Sequence, residues 1–535
     1  MKKPVFIISA LMIGIIAVTW LYFKKLNAST LSSEQIFKVL PADASIVFEY
    51  KNEAYFYDIF KDFTLFSDVL GKENLSHLSA LKQVFVDDQN TEGIFNQSDI
   101  FFSVHPTKAS EAALLVVAPL NLESHNSEEL LVVLKKKYQL RQNPDAKNAI
   151  YQLAFSNKTY FNFFIHNNLL VGSFDENLTK KSLAQANSNN DKATFNADFN
   201  TQRNKNSVAN LYVNFVNLRN FANHFSSRKN PYETYFLKSI DATASLNINY
   251  QKNALMFSGI TSPNLNAKTY FNLFLNQKPG ATTLAKHLPY DAANYALYYV
   301  SDYGSFKNDL QNLLASRKED KDLKAQIQRI STNHAINLDK EVTAIWGKEF
   351  GVFQLASGDN IGIVKSTNMN RLSFVLSTIS TEAGGDIRHF DDSFMMYNYF
   401  GDPFKQFRRP YYTTIENHLV VANSSNALRR FVENYRAQKL LGLTDKNIDF
   451  QQYLSNQGNI FYFIHNSNSK AIIRSFLSKS SYKSFRSDNF KWNEIYGLAI
   501  QFSADKDRFF TNFYMNETPD TEELLPKIDS AALAY

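Results

Sequence analysis

The densest cluster of metal-capable residues is Asp386-Ile387-Arg388-His389-Phe390-Asp391-Asp392, in which Asp386, His389 and Asp391 offer carboxylate and imidazole donors for a divalent ion. A ligand loop needs its donors at fixed turn positions, and no such spacing is complete here. The stretch therefore reads as a solvated loop after Gly384-Gly385, with Arg388 partly neutralising the acids. The ten histidines stand singly, none in a His-Glu-x-x-His pair, and there is no cysteine. That removes disulfides, thiolate metal sites and a cysteine nucleophile, and no metal or cofactor is expected. Ser79-Ala80-Leu81-Lys82 and Ser480-Ser481-Tyr482-Lys483 both spell Ser-x-x-Lys, but only Lys158-Thr159-Tyr160 and Lys268-Thr269-Tyr270 stand where a Lys-Thr-Gly strand is required. With 17 glycines in 535 residues, phosphate-cradling loops are scarce. No catalytic residue is assigned, and the chain is not expected to be an enzyme.

One paired feature combines charge with aromatic surface. Phe225-Ser226-Ser227-Arg228-Lys229-Asn230-Pro231-Tyr232 occupies nearly the place in the first half of the chain that residues 476–492 occupy in the second. The later stretch interleaves Lys479, Lys483, Arg486 and Lys491 with Tyr482, Phe485 and Phe490. Such a mixture grips anionic groups or sugars through charge and stacking, which makes Lys479, Lys483, Arg486, Arg228 and Lys229 the candidate anionic or partner-binding residues. The same residues suit an amphipathic helix end whose aromatics enter the core while the lysines stay wet, the commoner use of this pattern.

The elements that position these residues come twice. Leu40-Pro41-Ala42-Asp43-Ala44 returns as Leu288-Pro289-Tyr290-Asp291-Ala292, each opening an apolar strand pattern. Further matches keep an offset of about 250 residues, in order along the chain. Residues 113–117 match 360–364, and 169–173 match 419–423, the latter pair each followed by a helix pattern with Ser173 or Asp175, and Asn423 or Ser424, as N-caps. Residues 210–215 match 459–464, and a hairpin over 242–260 matches one over 496–514. Strands arrive in adjacent pairs with helices interspersed singly, the pattern of an antiparallel α+β fold.

The run 5–23, from Val5 to Phe23, has no charge, is flanked by paired lysines, and carries Trp20 and Tyr22 near its far end. It would span roughly 28 Å as a helix, enough for one bilayer core, and reads as an uncleaved membrane anchor. The expected organisation is an anchor at 1–25, a linker at 26–39, a first α+β repeat unit at 40–276 and a linker at 277–287. A second α+β repeat unit at 288–517 and a flexible acidic tail at 518–535 complete it. The expected fold class is thus α+β: two tandem related units of mainly antiparallel sheet behind one N-terminal transmembrane helix. Of the 57 Lys plus Arg, four flank the run 5–23, leaving 53 against 51 acidic residues, so nucleic-acid binding has no electrostatic support. Aromatics at 14% and hydrophobic residues at 44% are ample for two cores.

The anchor, the short linker and the opening Leu40-Pro41-Ala42-Asp43-Ala44 resemble a group of uncharacterised bacterial envelope proteins that carry a domain of unknown function. The second copy departs from the motif at Tyr290. The resemblance implies a single-pass protein of the bacterial inner membrane with its bulk periplasmic, and it transfers no activity or catalytic residue. The leading expectation is a non-enzymatic, membrane-anchored scaffold or partner-binding module acting on an envelope protein. The alternative is a carrier that holds a lipid or glycan in a cleft between the two units. A third reading, a hydrolase with dispersed residues, would show itself as a Ser–His pair or convergent carboxylates inside a cleft.

Overall fold

The computed structural model of the protein describes residues 33–51, 71–95, 99–107, 111–120, 127–142, 150–156, 159–188, 207–228, 235–251, 254–487 and 492–517. The chain packs as two compact units, one built from residues 1–56, 77–105 and 112–203, the other from residues 57–76, 106–111 and 204–535.

The first unit carries β1 (Ile46–Lys51), β2 (Asp99–Pro106), β3 (Ala112–Pro119), β4 (Leu140–Gln142), β5 (Tyr151–Ala154), β6 (Tyr160–His166) and β7 (Leu169–Ser173). β4 to β7 form an antiparallel meander, β7 also pairs with β3, and β1 pairs with β2. β7 is buried along its whole length, as a strand covered on both faces must be. It ends at Ser173, and helix Glu176–Ala186 starts two residues later, with the Asp175 carboxylate accepting from the Leu178 amide at 2.8 Å.

The second unit carries β8 (Ala209–Asn214), β9 (Ala242–Gln251), β10 (Ala254–Pro263), β11 (Ala292–Tyr299), β12 (Trp346–Leu355), β13 (Asn360–Ser366) and β14 (Ser380–Glu382). It continues with β15 (Arg388–Phe390), β16 (Tyr411–Ile415), β17 (His418–Ala422), β18 (Ile460–His465), β19 (Ile495–Asp505) and β20 (Arg508–Glu517). Its strands run β8-β9-β10-β20-β19-β18-β11-β12-β13-β17-β16-β15-β14, every neighbour antiparallel. The junction of β10 with β20 joins the last hairpins of the two sequence repeats, Phe257 facing Phe513. Residues 204–276, which belong by sequence to the first repeat, are thus built into the second compact unit.

Pairings recur between the repeats: β1–β2 with β11–β12, β3–β7 with β13–β17, β6–β7 with β16–β17, and β9–β10 with β19–β20. On the second unit's sheet, Tyr298, Trp346, Phe350, Phe400 and Phe404 form a continuous aromatic bed with ring centroids 5.0–6.3 Å apart. Helix Tyr303–Ser316, capped by Asp302, lays Phe306, Leu310, Leu313 and Leu314 on this bed at the spacing of one helical face. Helix Met395–Phe400 ends at Gly401, whose φ is +70° and where a Cβ would fall 2.5 Å from the Tyr270 ring, so there is no room for a side chain. The Tyr270 and Tyr303 hydroxyls donate to the carbonyls of Phe400 and Tyr399, closing that helix end.

The expected transmembrane helix is corrected, and with it the readings that depend on it. Among the described residues no helix is long and apolar enough to cross a membrane. The longest have 14 residues, against the roughly 20 apolar residues a bilayer core requires, and they carry charges along one face. The run with Val5, Trp20, Tyr22 and Phe23 lies outside the described residues, as do the tail 518–535 and most of the linker 26–39. The fold is therefore stated as mixed α+β sheet and helix without a transmembrane helix among the described residues. The readings that rested on one, namely anchorage, a signal-anchor, an inner-membrane address and a membrane partner, are withdrawn.

Candidate functional site

The second unit's helical layer holds a cleft of about 530 Å³. Helix Tyr303–Ser316 supplies Gln311, helix Asp320–Asn333 supplies Ile327, Gln328, Ser331 and Thr332, and helix Leu338–Thr343 supplies Asp339. The two later helices are set close by a short connection, in which the Ser331 hydroxyl accepts from the Leu338 amide at 3.3 Å and Asn337 caps Lys340 at 3.1 Å. Asn398 contributes from helix Met395–Phe400, and the residue is only 4% exposed. Its carboxamide carries one acceptor and two donor hydrogens at the cleft wall.

Behind this wall the buried Lys307 ammonium donates to Asp339 and, at 2.8 Å, to the Thr343 hydroxyl, and sits 5.1 Å from the centre of the Tyr399 ring. Burial, with the Asp339 carboxylate nearby, pushes the Tyr399 phenol well above its ordinary pKa. Asp339 keeps 48% of its side chain exposed, so one carboxylate both neutralises the buried cation and presents an acceptor toward the cleft. Amides, hydroxyls, one carboxylate engaged by Lys307 and the Lys324 ammonium paired with Asp320 line the cleft together with Ile327 and Ile336, and no paired carboxylates are among the lining residues.

A second gathering of chemically able residues lies at the β16–β17 turn. Glu416, at φ +50°, and Asn417 make the turn; His418 opens β17 opposite Lys365 of β13. His287 ends the short 3₁₀ turn Leu284–His287, and Tyr435 comes from the last turns of helix Ser425–Arg436. One donor atom from each of His287, Glu416 and His418 lies within 4.8 Å of the others, and the imidazole centroids are 4.4 Å apart. Burial lowers the pKa of both rings, that of His418 to about 4. Nearby, burial pushes the Glu349 carboxyl up, but its bonds with Lys365 at 2.7 Å and with Thr283 outweigh that and hold it below its ordinary value.

The first unit has a third arrangement. Ser103 Oγ lies 2.8 Å from His105 Nε2, and His105 Nδ1 lies 3.0 Å from Asp43, whose other oxygen pairs with Lys181. This is the wiring of a serine acyl-transfer relay, but Ser103 is 0% and His105 1% exposed, so no substrate reaches the hydroxyl. The hydrogen bonds instead tie the Leu40–Ala44 opening motif to β2.

The residues singled out by sequence fare differently. Asp386 pairs with Arg436 at 3.0 Å, His389 meets the Arg409 carbonyl at 3.1 Å, and Asp391 accepts from Thr381 at 2.6 Å, so these three are not gathered as ligands. The two basic stretches do come together. Ser226 and Leu477 form an antiparallel bridge, the Ser227 amide donates to Phe476 at 2.8 Å, and the Ser478 amide donates to Phe225 at 2.9 Å. Arg228, Lys479, Lys483 and Arg486 are exposed, Tyr482 and Phe485 half-buried; Phe485 stacks on Trp492 at 5.8 Å. Lys229 and Lys491 lie outside the described residues.

His287, His418 and the cleft escaped the sequence reading. The histidines stand far apart in the chain, and only the short Glu416-Asn417-His418 spacing hinted at a shared site. No family model, curated protein or solved structure matches this chain. The resemblance to bacterial envelope proteins is accordingly withdrawn: a five-residue motif and a layout are too little to specify a family.

Proposed function

We propose that the protein is a ligand-binding module whose second unit holds a hydroxyl-rich, glycan-class ligand in the cleft between helices Asp320–Asn333 and Leu338–Thr343. The observation that carries this reading is a cleft at which the polar side chains of Gln311, Gln328, Thr332, Asp339 and Asn398 converge. Its volume of about 530 Å³ falls within the range of small-molecule sites. Sugar hydroxyls donate and accept together, which matches carboxamides and a carboxylate better than a hydrocarbon chain would. Ile327 and Ile336 supply apolar surface against which a sugar's C–H face packs.

Binding rather than catalysis is favoured because the one carboxylate of the cleft is engaged by Lys307. The membrane-anchored scaffold reading is not retained. The test is saturation-transfer-difference NMR of the full chain against a panel of neutral oligosaccharides. At least one is expected to give a signal that drops about tenfold in a Gln328→Ala/Thr332→Ala double variant, both positions being exposed on the helix surface. No signal from any sugar, or a signal the double variant leaves intact, would refute the proposal.

A further inference from the structure

The turn between β16 and β17 makes a different offer from the cleft. We propose that His287, Glu416 and His418 form a binding site for a first-row transition ion of the zinc type, with Tyr435 as the group that orients it. Three features support this beyond the proximity of the donors. The first is that His418 Nε2 is buried and has no hydrogen-bond partner, an expensive state for an imidazole nitrogen unless something occupies its lone pair. The second is the hydrogen bond of 3.1 Å between His287 Nδ1 and the Tyr435 hydroxyl, which engages one ring nitrogen and, in the tautomer where Nδ1 donates, leaves the lone pair of Nε2 for a metal. A metal-ligating histidine whose other ring nitrogen donates to a fixed oxygen is the usual second layer of such a site.

The third feature is the donor set itself. Two imidazoles and a carboxylate suit zinc, cobalt or nickel rather than calcium or magnesium, and three protein donors leave a coordination position for water. Metal–ligand bonds of roughly 2.0–2.1 Å separate tetrahedral donors by roughly 3.4 Å. The three atoms, within 4.8 Å, need to close by little more than an ångström. Glu416 is exposed on a two-residue turn and is the donor best able to move. The cation facing the site is Lys365, across the sheet from His418, and its charge is balanced by Glu349. Lys286, beside His287 in the chain, is exposed.

The experiment is titration of the full chain with cobalt(II) chloride, read by ligand-field absorption in the visible, followed by displacement with zinc. One equivalent is expected to give the intense bands of a four-coordinate ion and to be displaced by zinc. His287→Gln and His418→Gln should abolish the bands. Tyr435→Phe should weaken binding about 10- to 100-fold, because the second-layer bond is lost. His418 is buried and its replacement risks the fold, so Glu416→Gln, on the exposed turn, is the deciding variant: it should keep the fold and weaken cobalt binding at least about tenfold. No visible bands with cobalt in excess, or bands unchanged in both Glu416→Gln and His287→Gln, would overturn the proposal.

Discussion

At the scale of single residues, Asp43 links sequence to stability most directly. Burial alone would raise its pKa, but the bonds from His105 and Lys181 more than offset this and hold it at about 2. Unfolded, the same carboxyl titrates near roughly 3.9. A depressed carboxylate contributes stability that is complete above the unfolded value and disappears as pH falls through the folded one. Urea unfolding of the full chain should therefore show a stability difference between wild type and Asp43→Asn that is largest above about pH 5 and shrinks toward pH 2. A difference that stays constant over that window would mean that the Asp43 charge does not serve as the tie between the opening motif and β2. The motif itself was legible in the sequence as a repeated strand opener. Its partner was not, because Ser103 and His105 lie in a strand whose pairing no local pattern specifies.

At the scale of elements, the sequence carries what is local. Both terminal hairpins fall where their alternation and turn residues place them, with Lys506 at φ +61° in the second turn. The helix caps are met by Asp175 and Ser424, two of the residues offered for that role. What the sequence does not carry is which helices cross over which strands, and the cleft depends on that. It exists because helix Tyr303–Ser316 is held on the aromatic bed while helices Asp320–Asn333 and Leu338–Thr343 fold back against it. Phe350, 0% exposed, touches the rings of Tyr298, Phe306, Phe400 and Phe404 and so binds the sheet to this layer. Phe350→Ala should cost about 3–5 kcal/mol by equilibrium unfolding, the range for a large aromatic deleted from a packed core. A loss below about 1 kcal/mol would show that the layer is held by other contacts.

At the scale of the whole molecule, the repeat in the sequence and the compact units in space are different partitions. The repeat is read from landmarks about 250 residues apart, whereas packing divides the chain near residue 204. The β10–β20 pairing supplies a physical reason. An edge strand with its backbone groups unpaired invites association, and β10 covers that edge of the second repeat's sheet. Sequence patterns report where strands are and which faces they bury, but not which of two similar hairpins pairs with which. For the same reason the place of a ligand is a property of the assembled second unit rather than of any motif.

Hydrogen–deuterium exchange of the full chain, with and without a saturating oligosaccharide that gives an NMR signal, tests the binding account most directly. Ligand should slow exchange in peptides covering residues 320–343 and 395–400, and leave the β16–β17 turn and residues 474–487 unchanged. Protection confined to other segments, or absent throughout at saturation, would contradict the assignment of the cleft as the binding site.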